Sequence, residues 1–157
     1  MEARIDLFAN KTTAKFLKHL VAAGKSVEAS GVPETTGFLV LLRASQVNGC
    51  GFCTDMHYKD AVAAGEEPEK LNMVAAWREA TVFTDAERAA LELAEEGTRI
   101  ADAAGGVSDE VWDNAAKHYD EDQLAALVAS IAVINAFNRV NVLVRQPAGA
   151  YRPGMFG

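Results

Sequence analysis

The sequence predicts an all-α protein, a single domain of about seven helices over residues 1–157, and three observations carry that prediction. Apolar residues recur at helical spacing along most of the chain, and no stretch sustains the alternation of a half-buried strand. Alanine is abundant and only 4 prolines occur in 157 residues, which favours helix over strand. Helix-start signals return wherever the periodicity resumes, two of them capping boxes. Half the residues are apolar and 24% are charged, ordinary values for a globular chain of one-domain length, and no composition shift divides it.

Thr12–Ala29 sets Phe16, Leu20 and Val27 at roughly helical spacing, with Lys and Glu opposite. Gly31-Val32-Pro33 breaks this helix, and Pro33 suits the first turn of the next, about Pro33–Val47. Asn48-Gly49 is a strong turn signal. A third helix runs from about Cys50 to Ala64, with Gly65 as its left-handed cap. A fourth starts near Pro68 and places Leu71, Val74 and Trp77 on one face. Thr84 and Glu87 form a capping box that opens a helix to about Ala103, ended by Gly105-Gly106. Ser108, followed by Asp109 and Glu110, caps a short helix to Tyr119, the acids favouring the positive end of its dipole. Asp120 and Gln123 form the second capping box and open the long apolar helix to about Arg145. The core is expected at about 33–145, and the tail, Pro147–Gly157, is rich in Gly and Pro and expected to be loosely ordered.

The formal net charge of −7 argues against nucleic acid or an anionic membrane surface as a partner, since both require a basic footprint. Leu124–Val144 is strongly apolar, but Ser130, Asn135, Asn138, Arg139 and Asn141 interrupt it. A bilayer span needs about 20 nearly uninterrupted apolar residues, so a helix buried between others or at a subunit interface is the better reading. Met1–Lys18 shows no basic segment followed by an apolar run, so no secretory signal is expected and the expected location is the cytoplasm. In that reducing compartment two cysteines three apart point to catalysis or metal binding rather than to a structural staple.

Cys50, Cys53 and His57 are the candidate catalytic residues. Positions i and i+3 of a helix have Cα atoms about 5 Å apart, within reach of a disulfide. Cys53 and His57 are i and i+4, so one stripe holds both thiols and the imidazole. With Asn48 as N-cap, Cys50 falls in the first turn, where the helix dipole and an adjacent imidazolium favour thiolate. Gly49 and Gly51 leave little bulk beside it. A closed zinc site needs four ligands and this motif supplies at most three, while His19 and His118 lie in other helices. An open catalytic zinc site, which needs only three protein ligands, stays as a third alternative; otherwise no metal or cofactor is expected.

The stretch from Leu42 to His57, Leu-Arg-Ala-Ser-Gln-Val-Asn-Gly-Cys-Gly-Phe-Cys-Thr-Asp-Met-His, resembles the core motif of the alkylhydroperoxidase AhpD-like, or carboxymuconolactone decarboxylase-like, family. Similarity continues at Lys59-Asp60-Ala61, Gly65, Leu71 to Glu79, Phe83 to Arg88 and Asn135 to Arg139. The resemblance implies an all-helical fold that assembles as a homo-oligomer, a trimer or hexamer. It implies thiol-dependent peroxidase or disulfide reductase activity, with an organic hydroperoxide as substrate and an external thiol or dithiol as electron donor. In the family scheme Cys53 attacks the peroxide, Cys50 resolves the sulfenic acid to a disulfide, and His57 belongs to the proton relay. That order is in tension with the dipole argument, which activates Cys50 at least as well.

Two departures stand out. Better-studied AhpD members carry a glutamate where this chain has Phe38 and a histidine where it has Phe52. Glu34, one turn before Phe38, is a candidate stand-in. Decarboxylase activity is not carried over, since that branch does not rely on a Cys-x-x-Cys. The alternative from another class is a non-enzymatic redox sensor or assembly module using the same cysteine pair. Arg43, Ser45 and Gln46 either line the motif's pocket or form a partly exposed helix face. Asn135, Asn138 and Arg139 need polar partners on so apolar a helix, either at a subunit contact or at the cysteine loop. His19 and His118 read as surface residues, Trp77, Trp112 and the Phe residues mostly as core, and the acidic runs Glu66-Glu67 and Glu95-Glu96 as solvated faces.

Overall fold

Residues 2–156 are described here in a computed structural model of the chain. Their regular elements are α1 (Lys11–Lys25), α2 (Glu34–Val47), α3 (Gly51–Ala63), α4 (Pro68–Asn72) with a following 3-10 turn (Met73–Ala76), α5 (Asp85–Thr98), α6 (Asp109–Ala116) and α7 (Glu121–Val144). The expected all-α class holds, with seven α-helices among the described residues.

Both capping boxes form. Thr84 accepts the Glu87 amide while Glu87 accepts the Thr84 amide, and Asp120 and Gln123 repeat the arrangement at α7. Ser108 caps α6 through the Val111 amide. Three helices end earlier than expected. At Arg99 the backbone leaves helical geometry (φ −84°, ψ 22°), so α5 stops at Thr98 and Arg99–Gly106 run as turns. The Ser26 hydroxyl turns back onto the Ala23 carbonyl, closing α1 at Lys25. α6 ends at Ala116, where the Lys117, His118 and Tyr119 amides turn back onto α6 carbonyls.

α2 is the central post, packed against α3, α5 and α7. Its Leu39 and Leu42 join Leu71, Val74, Trp77 and Leu91 on one side, while Val40 joins Leu93, Leu127 and Ile131 on the other. Full burial of each such aliphatic side chain contributes about 1.5–3 kcal/mol. Trp77 and Phe83 are core as expected, but Trp112, Phe8, Phe16 and Phe156 are exposed. α7 has the length and apolarity of a bilayer span, yet it lies against α1, α2, α3 and α5 and turns its buried asparagines toward partners inside the protein.

The tail departs from expectation because α3 offers it polar anchors. Lys59 donates to the carbonyls of Gly149 and Tyr151, the Gly149 amide donates to Asp55, and the Tyr151 hydroxyl donates to Asp60 at 2.7 Å. Tyr151 is buried as a result. Phe156 then stacks on Phe8 from the N-terminal segment, with ring centroids 5.0 Å apart.

Candidate active site

Cys50 is itself the N-cap of α3, which places Cys53 in the helix's first turn with its sulfur inside the protein. Asn48 is therefore not the cap expected from its position. It ends α2, and its amide donates to Asn135 at 2.9 Å and Asn138 at 2.8 Å on α7. The cysteine loop is thus stitched to α7, which provides the polar partners that Asn135 and Asn138 required. Asn135 donates in turn to Thr98, and Asn138 to Ser45. Arg139 does not join them and faces solvent, as do His19 and His118.

Both thiols are free and nearly sealed, Cys50 at 2% exposure and Cys53 at 1%. The Cys53 thiol hydrogen-bonds Cys50, and this contact is the main cause of a Cys50 pKa lowered to about 7; burial opposes it, while the Cys53 and Phe52 amides and the Asn138 side chain assist. Cys53 moves the other way. Its bond to Cys50, then burial and the Cys50 charge, hold its proton firmly, although Asn138 and Asn141 pull against that. Asn141 donates to the Cys53 sulfur at 3.3 Å. Above about pH 7 the pair therefore carries one proton and one negative charge, with the charge on Cys50.

His57 is half-buried, but its Nε2 is sealed and has no hydrogen-bond partner. Burial lowers its pKa to about 4, so near neutral pH the ring is uncharged. The imidazolium expected beside the thiols is absent for that reason. The thiolate rests on thiol, amide and backbone donors instead.

A cavity of about 750 Å³ opens beside this pair. Cys53, Met56 and His57 line it from α3, Phe38 and Leu41 from α2, Val133 and Phe137 from α7, and Leu17 and Val21 from α1. Cys50 lies behind the wall. Phe38 and Phe52, the two departures from the family relay, both face this cavity, and Glu34 stands on its exposed side. Of the residues just before the motif, Ser45 joins the site through Asn138, whereas Arg43 points away and pairs with Glu95 on α5 at 2.6 Å. Gln46 borders a second, more polar cavity of about 540 Å³ near Arg43 and Thr98. Among the described residues no group of three or more His, Cys, Asp or Glu side chains gathers as a metal site.

Asn141 is the site residue that the sequence did not single out for a role. The available signal was its spacing: Asn135, Asn138 and Asn141 recur every three residues along an apolar helix and share a face.

Residues 13–96 match the carboxymuconolactone decarboxylase family. The chain belongs to that family. YdfG of Bacillus subtilis, an uncharacterised protein, is 37% identical over 134 residues, covering 85% of this chain and 90% of YdfG. Among solved structures, a protein of unknown function from Agrobacterium tumefaciens, suggested to be the antioxidant defence protein AhpD, superposes with a TM-score of 0.86. It is 30% identical, and the match covers 96% of this chain and 100% of that one. An uncharacterised peroxidase-related protein from Ralstonia eutropha, described as an alkylhydroperoxidase AhpD core, shares the fold at a TM-score of 0.74 and 15% identity, over 87% of this chain and 72% of its own. The AhpD-like kinship inferred from the motif therefore stands on independent ground. The debrominase Bmp8 also shares the fold, at a TM-score of 0.77 and 20% identity, over 88% of this chain and 74% of its own.

Proposed function

We propose that this family member is a thiol-dependent peroxidase in which Cys53 attacks a hydroperoxide held in the cavity and Cys50 resolves the product. The observation that carries this reading is the division of labour between the sulfurs: Cys53 faces the cavity while Cys50, behind it, holds the negative charge. On approach of the peroxide, Cys50 accepts the Cys53 proton. The Cys53 sulfur then bonds to the terminal oxygen, the O–O bond breaks, and the leaving alkoxide takes that proton back from Cys50 to leave as an alcohol. Cys50, again a thiolate, attacks the Cys53 sulfenic acid and forms the disulfide; the expelled hydroxide takes a proton from solvent. An external dithiol returns both electrons by exchange. His57, neutral, lines the cavity one helical turn from Cys53. Asn141 steadies the Cys53 sulfur as charge builds on it.

Assembly as a trimer or hexamer belongs to the same proposal. The outer face of α7 exposes Val128, Val142 and Leu143, surface that a subunit contact would cover.

The test is consumption of an organic hydroperoxide with a dithiol donor, run beside Cys50→Ser and Cys53→Ser. Cys53→Ser is expected to lose turnover. Cys50→Ser is expected to react once and leave a sulfenic acid that dimedone traps. Equal consumption by Cys53→Ser and wild type refutes the assignment, and stoichiometric oxidation without turnover favours the redox-sensor reading.

A further inference from the structure

The cavity wall has an uneven character that bears on what can enter. α1 turns Leu17 and Val21 toward the cavity yet has no buried residue of its own, so its apolar face borders open space rather than packed core. No lysine or arginine occurs among the lining residues. The charged side chains that do line it are carboxylates, Glu28 and Glu34, both on the exposed side. Deeper polar groups, Ser130, Asn141, His57 and Cys53, carry no fixed positive charge. A volume of about 750 Å³ lies well within the range that encloses a ligand much larger than hydrogen peroxide.

We propose that this chamber selects uncharged hydroperoxides with a long or bulky hydrocarbon part and rejects those bearing a carboxylate, such as fatty-acid hydroperoxides. The inference takes the peroxidase reading as its starting point and names the substrate class of that site. An anionic head inside the chamber would lose its hydration and meet no cation, which is costly. Placed at the open side, it would meet Glu28 and Glu34. An uncharged chain faces neither penalty and gains by covering Val21, Leu41 and Val133.

Binding is measured separately from chemistry, by calorimetry with the double variant Cys50→Ser/Cys53→Ser. The probes are decanol and decanoate, equal in chain length and differing in charge. Decanol is expected to bind at least about tenfold more tightly. Adding Glu28→Lys and Glu34→Lys, both at exposed positions, is expected to raise decanoate affinity at least about tenfold while decanol changes little. Gly37 lies in α2 on the cavity wall, and a Cβ built there meets no heavy atom within 4 Å. Gly37→Leu is therefore expected to fill the chamber and weaken decanol binding, with circular dichroism confirming the fold. Decanoate binding as tight as decanol overturns the proposal. Absence of saturable decanol binding also overturns it and points to a second copy of the chain filling the chamber. Wild-type protein that shows the decanol preference but leaves decyl hydroperoxide intact upholds the selectivity and refutes the peroxidase reading.

Discussion

At the scale of single residues, the proposed chemistry rests on where one proton sits between Cys50 and Cys53. Thiolate absorbance in the ultraviolet is expected to titrate with a midpoint near 7. Each donor to Cys50 lowers that midpoint, so removing one must raise it. Cys53→Ala, which deletes the largest contributor, is expected to shift it upward more than Asn138→Ala does. His57 supplies a second test. Its pKa is about 4 in the folded protein against 6.5 for the free group, so the unfolded chain takes up a proton first. Its burial therefore lowers stability progressively as pH falls from about 6.5 toward 4, and not above that window. Urea midpoints across this range are expected to fall for wild type and to flatten for His57→Leu. The cysteines and His57 were legible in the sequence because their spacing is local to one helix. Asn48 was not, because its partners lie 87 and 90 positions away on α7, and nothing near it in the chain announces them.

At the scale of elements, a buried carboxylate fastens α2 to α5: Glu95, read from the sequence as part of a solvated face, is instead enclosed by donors from neighbouring elements. The Glu95 carboxylate accepts from Arg43, Arg78 and the Trp77 indole at 2.6 to 3.0 Å. Burial pushes its pKa up, but these donors prevail and leave it at about 2. The stability it contributes is fully present above about 4.5 and is lost as pH falls toward 2. Glu95→Gln is expected to lower the Tm at neutral pH and to reduce the acid sensitivity between those limits, as thermal melts would show. At the start of the same helix, Thr84→Ala removes the cap to the Glu87 amide and is expected to cost about 1 kcal/mol in urea unfolding. Helix starts were the readable part of the architecture, since a cap and its acceptor are three residues apart. Helix ends were less so: α2, α3 and α7 stop within a residue of where expected, but α5 stops at Thr98 although its apolar periodicity runs on. Nor did Arg43 declare its side, because a helix face shows its partner only once another helix is placed against it.

At the scale of the whole molecule, both termini converge on the motif that the chain's middle provides. Phe8, Phe52, Tyr151 and Phe156 form one aromatic cluster, with Phe52 standing between the two cysteines. The composition of the tail announced a loose end, and only the Lys59, Asp55 and Asp60 anchors on α3 explain why it is held. Tyr151→Phe deletes the bond to Asp60 and is expected to speed proteolysis within residues 147–156 without unfolding the domain. The wall built by α1 has a different consequence. A helix that buries no residue of its own is expected to open at little free energy, whereas the buried α2, α5 and α7 are expected to exchange their amides only through large-scale unfolding. Hydrogen exchange in α1 is accordingly expected to run far ahead of the central three. On that expectation the domain breathes along one seam, the route by which the proposed substrate would enter and leave, while the frame around the sulfurs keeps its shape.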